Sequence, residues 1–183
     1  MAVLANRHDE FLQAGSRIFS LSADDFPQNA AVMEKLALPF PLLADPDRDL
    51  AITPLGFADE KDARQIARAG VIVLDPGGEE IWRHTGRDYA DRPHEDLVLE
   101  QVAAMGLEPT KQKPPAVGEA EAGPTAISLA GLVPYLRGAK FATLALRGRH
   151  RELGDDFRDD TKVYVQRVDR YLEALDGIEE RRT

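Results

Sequence analysis

The chain has 183 residues, 43 % hydrophobic and 30 % charged, with 32 acidic against 23 basic side chains and no cysteine. This is the composition of a soluble globular protein, long enough for one cored domain plus an appendage, and its net charge of −9 argues against a general nucleic-acid binder. Without cysteine there is no disulfide framework and no thiolate metal site, and neither a signal-peptide pattern nor an apolar run of about 18 residues is present, so a cytoplasmic location is the default expectation.

In chain order, MAVLANRHDEFLQAG reads as one helix, with Val3, Leu4, Phe11 and Leu12 at helical spacing and Gly15 as its stop. Arg17 to Ser22 is β-prone and reads as a strand. Asp24 or Asp25 caps a helix starting near Pro27, with Ala31, Val32, Leu36 and Leu38 expected on its buried side. Pro39, Pro41, Pro46 and Pro54 then limit regular structure to a short edge strand at Phe40–Asp45 and a helical turn around Asp47–Ile52. Residues 58–68 are polar and irregular. Gly70 to Leu74 is a continuous apolar run, which predicts a strand buried on both faces. Asp75-Pro76-Gly77-Gly78 turns the chain into a hairpin partner at Glu79–His84. Pro93 opens a helix to about Met105, with Leu97, Val98, Val102 and Met105 as its apolar stripe.

Residues 107–124 (LEPTKQKPPAVGEAEAGP) read as a Pro/Gly/Glu-rich, mobile linker with little to bury. Residues 125–183 are helical. Ile127 to about Arg149 predicts one helix or two, interrupted near Pro134 and Gly138. A last helix is expected from roughly Phe157 to Leu175, with Val165, Val168, Tyr171, Leu172 and Leu175 on one side. Charge divides at the same boundary: residues 1–124 sum to −10 and residues 125–183 to +1. Arg137, Lys140, Arg147, Arg149 and Arg151 precede the first acid of the tail. This basic stretch reads first as a solvated helix face, and otherwise as a contact for an acidic partner or a membrane surface.

Few side chains suggest chemistry. His8, His84, His94 and His150 are scattered without zinc-ligand spacing, so no metal site is expected. Asp24/Asp25 and Asp45/Asp47 sit at element ends, where capping and turn formation explain them. Gly77-Gly78 is a hairpin turn that lacks the lysine of a phosphate loop. Trp82 and Tyr89 read as packing residues.

SLSADDFPQNAAVMEKLALPFPLLADPDRDLA, IARAGVIVLDPGGEEIWRHTG and DYADRP, in this order, resemble the alkyl hydroperoxide reductase/thiol-specific antioxidant family, the peroxiredoxin-like redoxins. The resemblance covers about residues 3–106. It implies an α/β fold: a partial thioredoxin-like (peroxiredoxin-like) domain at 1–106, the linker at 107–124, and a C-terminal helical extension at 125–183. Relatives reduce hydroperoxides through a low-pKa cysteine at the start of the first long helix. By the resemblance that cysteine, and the central strand before it, would lie upstream of Met1, so the chain is expected to be a fragment or late-start version of a longer protein. The resemblance implies no catalytic residue here; Arg68 is the possible remnant of an arginine that stabilises the thiolate and the peroxide oxygen, or else a surface arginine. Ala69 stands where thioredoxin-like relatives often have a cis-proline.

Without the central strand, the strands at 17–22 and 70–75 would present edges across a gap of about 9–10 Å. Either they close up, or another chain supplies a strand. The first functional expectation is therefore an antioxidant, oxidoreductase-family domain that is inactive as this chain, with no cofactor. The alternative is a non-enzymatic binding protein acting through strand completion or through its helical tail. Expected partners are a second copy or a strand-donating protein. For the 127–151 segment, packing on the body or on another subunit is preferred to a membrane surface.

Overall fold

The computed structural model describes residues 1–60, 62, 66–87 and 91–182. The elements are α1 (Ala2–Asn6), α2 (His8–Gln13), β1 (Ser20–Ser22), α3 (Phe26–Leu36), β2 (Leu42–Ala44), β3 (Gly70–Leu74), β4 (Glu80–Thr85), α4 (Glu95–Ala103), α5 (Leu129–Arg149) and α6 (Gly154–Arg182). The fold is mixed α/β, with two small sheets among the described residues. β1 and β2 are parallel, with Ser20 beside Leu42 and Ser22 beside Ala44; β3 and β4 form an antiparallel hairpin with a bulge after Val73.

Local chemistry sets most boundaries. Asp25 caps α3 by accepting the Gln28 N–H at 2.9 Å, and Pro27 sits in its first turn, where no N–H is needed. Ala37 ends the same helix in the left-handed region at φ 47°. His94 caps α4, its Nδ1 accepting the Asp96 N–H at 3.2 Å. The single helix expected at the start is two. Its break falls at Arg7, whose guanidinium is drawn aside by Glu10 (2.8 Å) and Asp96 (2.5 Å).

Helices α1 to α4 cover the strands through two apolar clusters. Ala5, Met33, Leu38, Phe40 and Leu42 form one; Phe11, Val73, Val98 and Val102 form the other. Leu4 and Ile18 touch both clusters and bridge the two sheets. On the inner side of α3, Val32 and Leu36 pack against the first cluster and Leu38 is buried, as expected, but the fully buried residues of the helix are others. Asn29, Ala30 and Met33 are its buried residues, because the Asn29 carboxamide accepts from the Ser22 hydroxyl (2.8 Å) and donates to the Leu43 carbonyl (3.1 Å). β3 is not buried on both faces; within it only Val73 is fully covered. In α4, Leu97 is half-exposed while Val98 and Val102 are buried.

Asp45 organises the turn-rich segment that follows β2, where the expected helical turn at 47–52 is replaced by hydrogen-bonded turns. Its buried carboxylate accepts the N–H groups of Leu50, Ala51 and Ile52 at 3.2, 2.9 and 2.8 Å. Burial alone raises its pKa. The N–H groups of Ile52, Ala51, Leu50 and Arg48 outweigh burial and hold the carboxyl below its ordinary value of 3.8. A depressed folded-state pKa means a contribution that is complete above the unfolded value and lost as pH falls through the folded one. Chemical denaturation of wild type and Asp45→Asn should therefore show a stability gap that is constant above about pH 5 and narrows below about pH 4. A gap independent of pH would contradict this arrangement.

The tail adds a second helical layer. α5 runs unbroken through Pro134 and Gly138 and packs along α6, and α6 packs on α1. α6 extends beyond both predicted ends, to 29 residues, and buries Val168, Ala174 and Ile178. At its end Arg181 donates to the carbonyls of Ala37 (3.1 Å) and Leu36 (2.9 Å), and Arg182 to Lys35 (3.0 Å). Two guanidinium groups thus satisfy the orphan carbonyls at the C-terminus of α3, where the helix dipole favours positive charge. Residues 107–124 have no regular structure, yet they are tied to the body: Thr110 N–H donates to Leu12 O and Glu121 N–H to Pro27 O.

Candidate functional site at the open strand edges

The side of β1 facing β2 is fully used. Ser20 N–H donates to Pro41 O (2.9 Å), and Ser22 O accepts from Asp45 N–H (2.9 Å). Two residues earlier, before β2 begins, a side chain takes over. The Gln112 carboxamide accepts the Ile18 N–H at 3.0 Å and donates to the Ile18 carbonyl at 2.6 Å. It copies the donor–acceptor pair of a neighbouring strand residue. Its oxygen also lies 3.0 Å from Nε2 of the buried His8.

The opposite side of β1 is different. In a parallel ladder alternate residues turn their backbone groups to opposite neighbours, so Phe19 and Leu21 point away from β2. No strand among the described residues meets them. The same holds for β3. Ala69 and Asp75 bond toward the hairpin partner, so Gly70, Ile72 and Leu74 turn outward. Among the described residues that outer edge is occupied only at its start, where Arg68 N–H donates to Phe57 O (2.7 Å) and Ala58 bridges Ala67. β1 and β3 do not close up on each other. Phe19 and Leu74 are more than half exposed beside these edges, which gives them an apolar border.

Arg68 stands at the head of the β3 edge. Its Nη2 donates to the Gly56 carbonyl at 2.9 Å, while its Nε is buried without a hydrogen-bond partner. From β4, Arg83 reaches the same loop, donating to Leu55 O at 2.6 Å and lying 5.2 Å from the Phe57 ring centroid. The two arginines clamp the Pro54–Phe57 loop over the start of β3. Gly70 is required there: a Cβ on it would sit 2.2 Å from the Phe57 ring. Arg68 is thus held to a backbone carbonyl, and no other sequence-predicted site residue joins it.

The four histidines go to four places: His8 to Gln112, His84 near Asp91, His94 to Asp96 and His150 to Glu152. Among the described residues no three His, Asp or Glu side chains gather as a metal-binding group. Trp82 packs with the Val73 cluster, whereas Tyr89 lies outside the described residues. Two clefts mark the α1–α6 seam. The larger, about 360 Å³, lies beside Asn6, His8 and Arg181. The smaller, about 230 Å³, holds Glu95 and Arg170 with Oε2 and Nε 3.8 Å apart, and burial lowers the Arg170 pKa. No helix among the described residues is long and apolar enough to cross a membrane.

Sequence reasoning pointed to the edges only through the redoxin resemblance, which implies a strand between those at 17–22 and 70–75. It missed Gln112, whose role depends on a contact 94 residues away in the chain. No protein-family model matches the chain, and no curated protein sequence matches it.

Proposed function

We propose that this chain is a peroxiredoxin-like redoxin scaffold without thiol-peroxidase turnover of its own, acting as a binding module that takes an extended segment along the outer edges of β1 and β3. The observation that carries this reading is the asymmetry of β1. One edge is satisfied to the last residue, even by a borrowed side-chain amide at Ile18, while Phe19 and Leu21 on the other edge meet no strand among the described residues. An open edge of this kind is a template for strand addition, in which backbone hydrogen bonds supply affinity and flanking side chains supply selectivity. The strand order β2–β1 and β3–β4, with helices over both pairs, supports the redoxin resemblance, since a redoxin sheet has its central strand between those two pairs.

Catalysis in such relatives passes through a sulfenic acid on cysteine, and this sequence has none. The purified chain with hydrogen peroxide and a dithiol reductant should consume no peroxide above the uncatalysed rate; turnover would refute the non-enzymatic half of the proposal. The binding half is tested by hydrogen exchange. The amides of Leu21, Ile72 and Leu74 should exchange much faster than those of Ser20, Ser22, Val71 and Val73. Equal protection on both edges would mean that the edges are closed, and the proposal would fall.

A further inference from the structure

The smaller cleft of the α1–α6 seam, about 230 Å³, is lined by two side chains whose buried charged atoms have no hydrogen-bond partner among the described residues. Glu95 is only 9 % exposed, and its Oε2 accepts nothing. Arg170 Nε lies 3.8 Å away, beyond hydrogen-bond reach, and donates to nothing. The neighbours explain why both are left over. His94 already accepts the Asp96 N–H, so the first turn of α4 does not call on Glu95 as a cap. One turn back on α6, Arg167 takes Asp91 and the Arg92 carbonyl, and Arg170 is left facing Glu95. A buried carboxylate and a buried guanidinium without hydrogen bonds are costly, and their attraction at this distance does not replace those bonds.

Size and charge say what satisfies them. One bridging water needs about 10–15 Å³, far less than the cleft offers. A drug-sized ligand needs about 300–1,000 Å³, which is more than it offers. Arg7 and Arg170 stand against Glu95 and Glu173 around the cleft, so these charges sum to zero. A lone anion on Arg170 would meet Glu95, and a lone cation on Glu95 would meet Arg170. Val3 and Ala174 add a small apolar surface.

The geometry points to a binding site for a small zwitterion, a free α-amino acid with a short side chain. Its ammonium donates to Glu95 Oε2, its carboxylate accepts from Arg170 Nε–H, and its side chain lies against Val3 and Ala174. Both bonds are charge-assisted, and each ligand charge meets its opposite. An α-amino acid carries its two charged groups on neighbouring carbons, so one molecule serves both atoms of a pair too far apart to bond directly. Val3 belongs to α1, Glu95 to α4 and Arg170 to α6. The bound ligand therefore fastens the last helix to the body. This cleft shares no residue with the β1 and β3 edges and does not depend on the strand-binding proposal.

Titration of the full isotope-labelled chain with L-alanine should give saturable amide shifts centred on Val3, Glu95, Arg170 and Ala174, with a Kd of about 0.1–3 mM. Acetate and methylammonium, each carrying one of the two charges, should bind more than about tenfold more weakly. At L-alanine concentrations about ten times Kd, hydrogen exchange through local opening of α6 should slow by about tenfold. Glu95→Gln should weaken binding by more than about tenfold with the circular dichroism spectrum unchanged. A single change leaves the other charge buried and alone, whereas the double variant Glu95→Gln, Arg170→Met removes both, keeps the fold and should lose L-alanine binding. Any of three results overturns the proposal. The first is no saturable shift with L-alanine at about ten times the highest expected Kd. The second is acetate or methylammonium binding as tightly as L-alanine, which marks an adventitious ion only. The third is unchanged L-alanine affinity in the folded double variant.

Discussion

Phe40→Ala is expected to lower the free energy of unfolding by about 3–5 kcal/mol, the range for removing a fully buried aromatic ring. Phe40 has no solvent exposure and packs with Ala5 of α1, Met33 of α3 and Leu42 of β2. It also lies 5.9 Å from the His8 ring, tilted by 51°. The ring therefore closes the junction of three elements, and neighbours anchored by their own backbones collapse only partly into the space left behind. For a chain of this size the loss corresponds to a fall in melting temperature of about 6–20 °C. Thermal and urea unfolding followed by circular dichroism measure it, and a loss below about 1 kcal/mol would mean that Phe40 is not at the centre of the core. Because His8 leads through Gln112 to Ile18, the same variant should speed hydrogen exchange at the start of β1.

Gly177→Leu is expected to lift α6 from α1 and to cost about 1–3 kcal/mol or more, as overpacking does. A Cβ at Gly177 would lie 2.7 Å from both terminal atoms of the Asn6 carboxamide. Asn6 has nowhere to go without loss, since its nitrogen donates to the Ala174 carbonyl and its oxygen accepts from Arg181. Moving α6 away withdraws Arg181 and Arg182 from the last carbonyls of α3 and exposes Ile178. The expected signature is local: faster exchange across α1 and at the C-terminus of α3, with the α5–α6 pair still helical. Unchanged protection in α1 would show that the close approach at Gly177 does not hold the helices together.

The features legible in the sequence are those decided within a few residues. Asp25 with Pro27 fixes the start of α3, Gly15 stops α2, and Asp75 to Gly78 fixes the hairpin, because capping and turn chemistry are local. Features decided by a distant partner were not legible. Asn29 looks like a surface residue until Ser22 and Leu43 are brought to it. The run from Gly70 to Leu74 reads as doubly buried, since an apolar sequence does not distinguish a covered strand from one with an open edge. Pro134 suggested an interruption. It sits on the exposed side of α5, where the carbonyl it leaves without a donor can be hydrated. At the candidate site Arg68 could be singled out only through the redoxin resemblance, which gives an arginine before this strand a role. Its commitment to Gly56 could not, because that depends on how the Pro54–Phe57 loop folds over the strand.

The fastening of Arg181 to Asn6 joins residues 175 apart in the chain. During synthesis α1 emerges well ahead of the helix that covers Ala5 and Asn6, which follows everything between them. At ribosomal speed that interval is roughly ten to thirty-five seconds. Through it the strands and α1 to α4 have an uncovered flank, and α3 has bare carbonyls at its end. Cover for that flank therefore waits for α6 to clear the ribosome, and a nascent chain stalled before Ala174 presents it to chaperones and proteases.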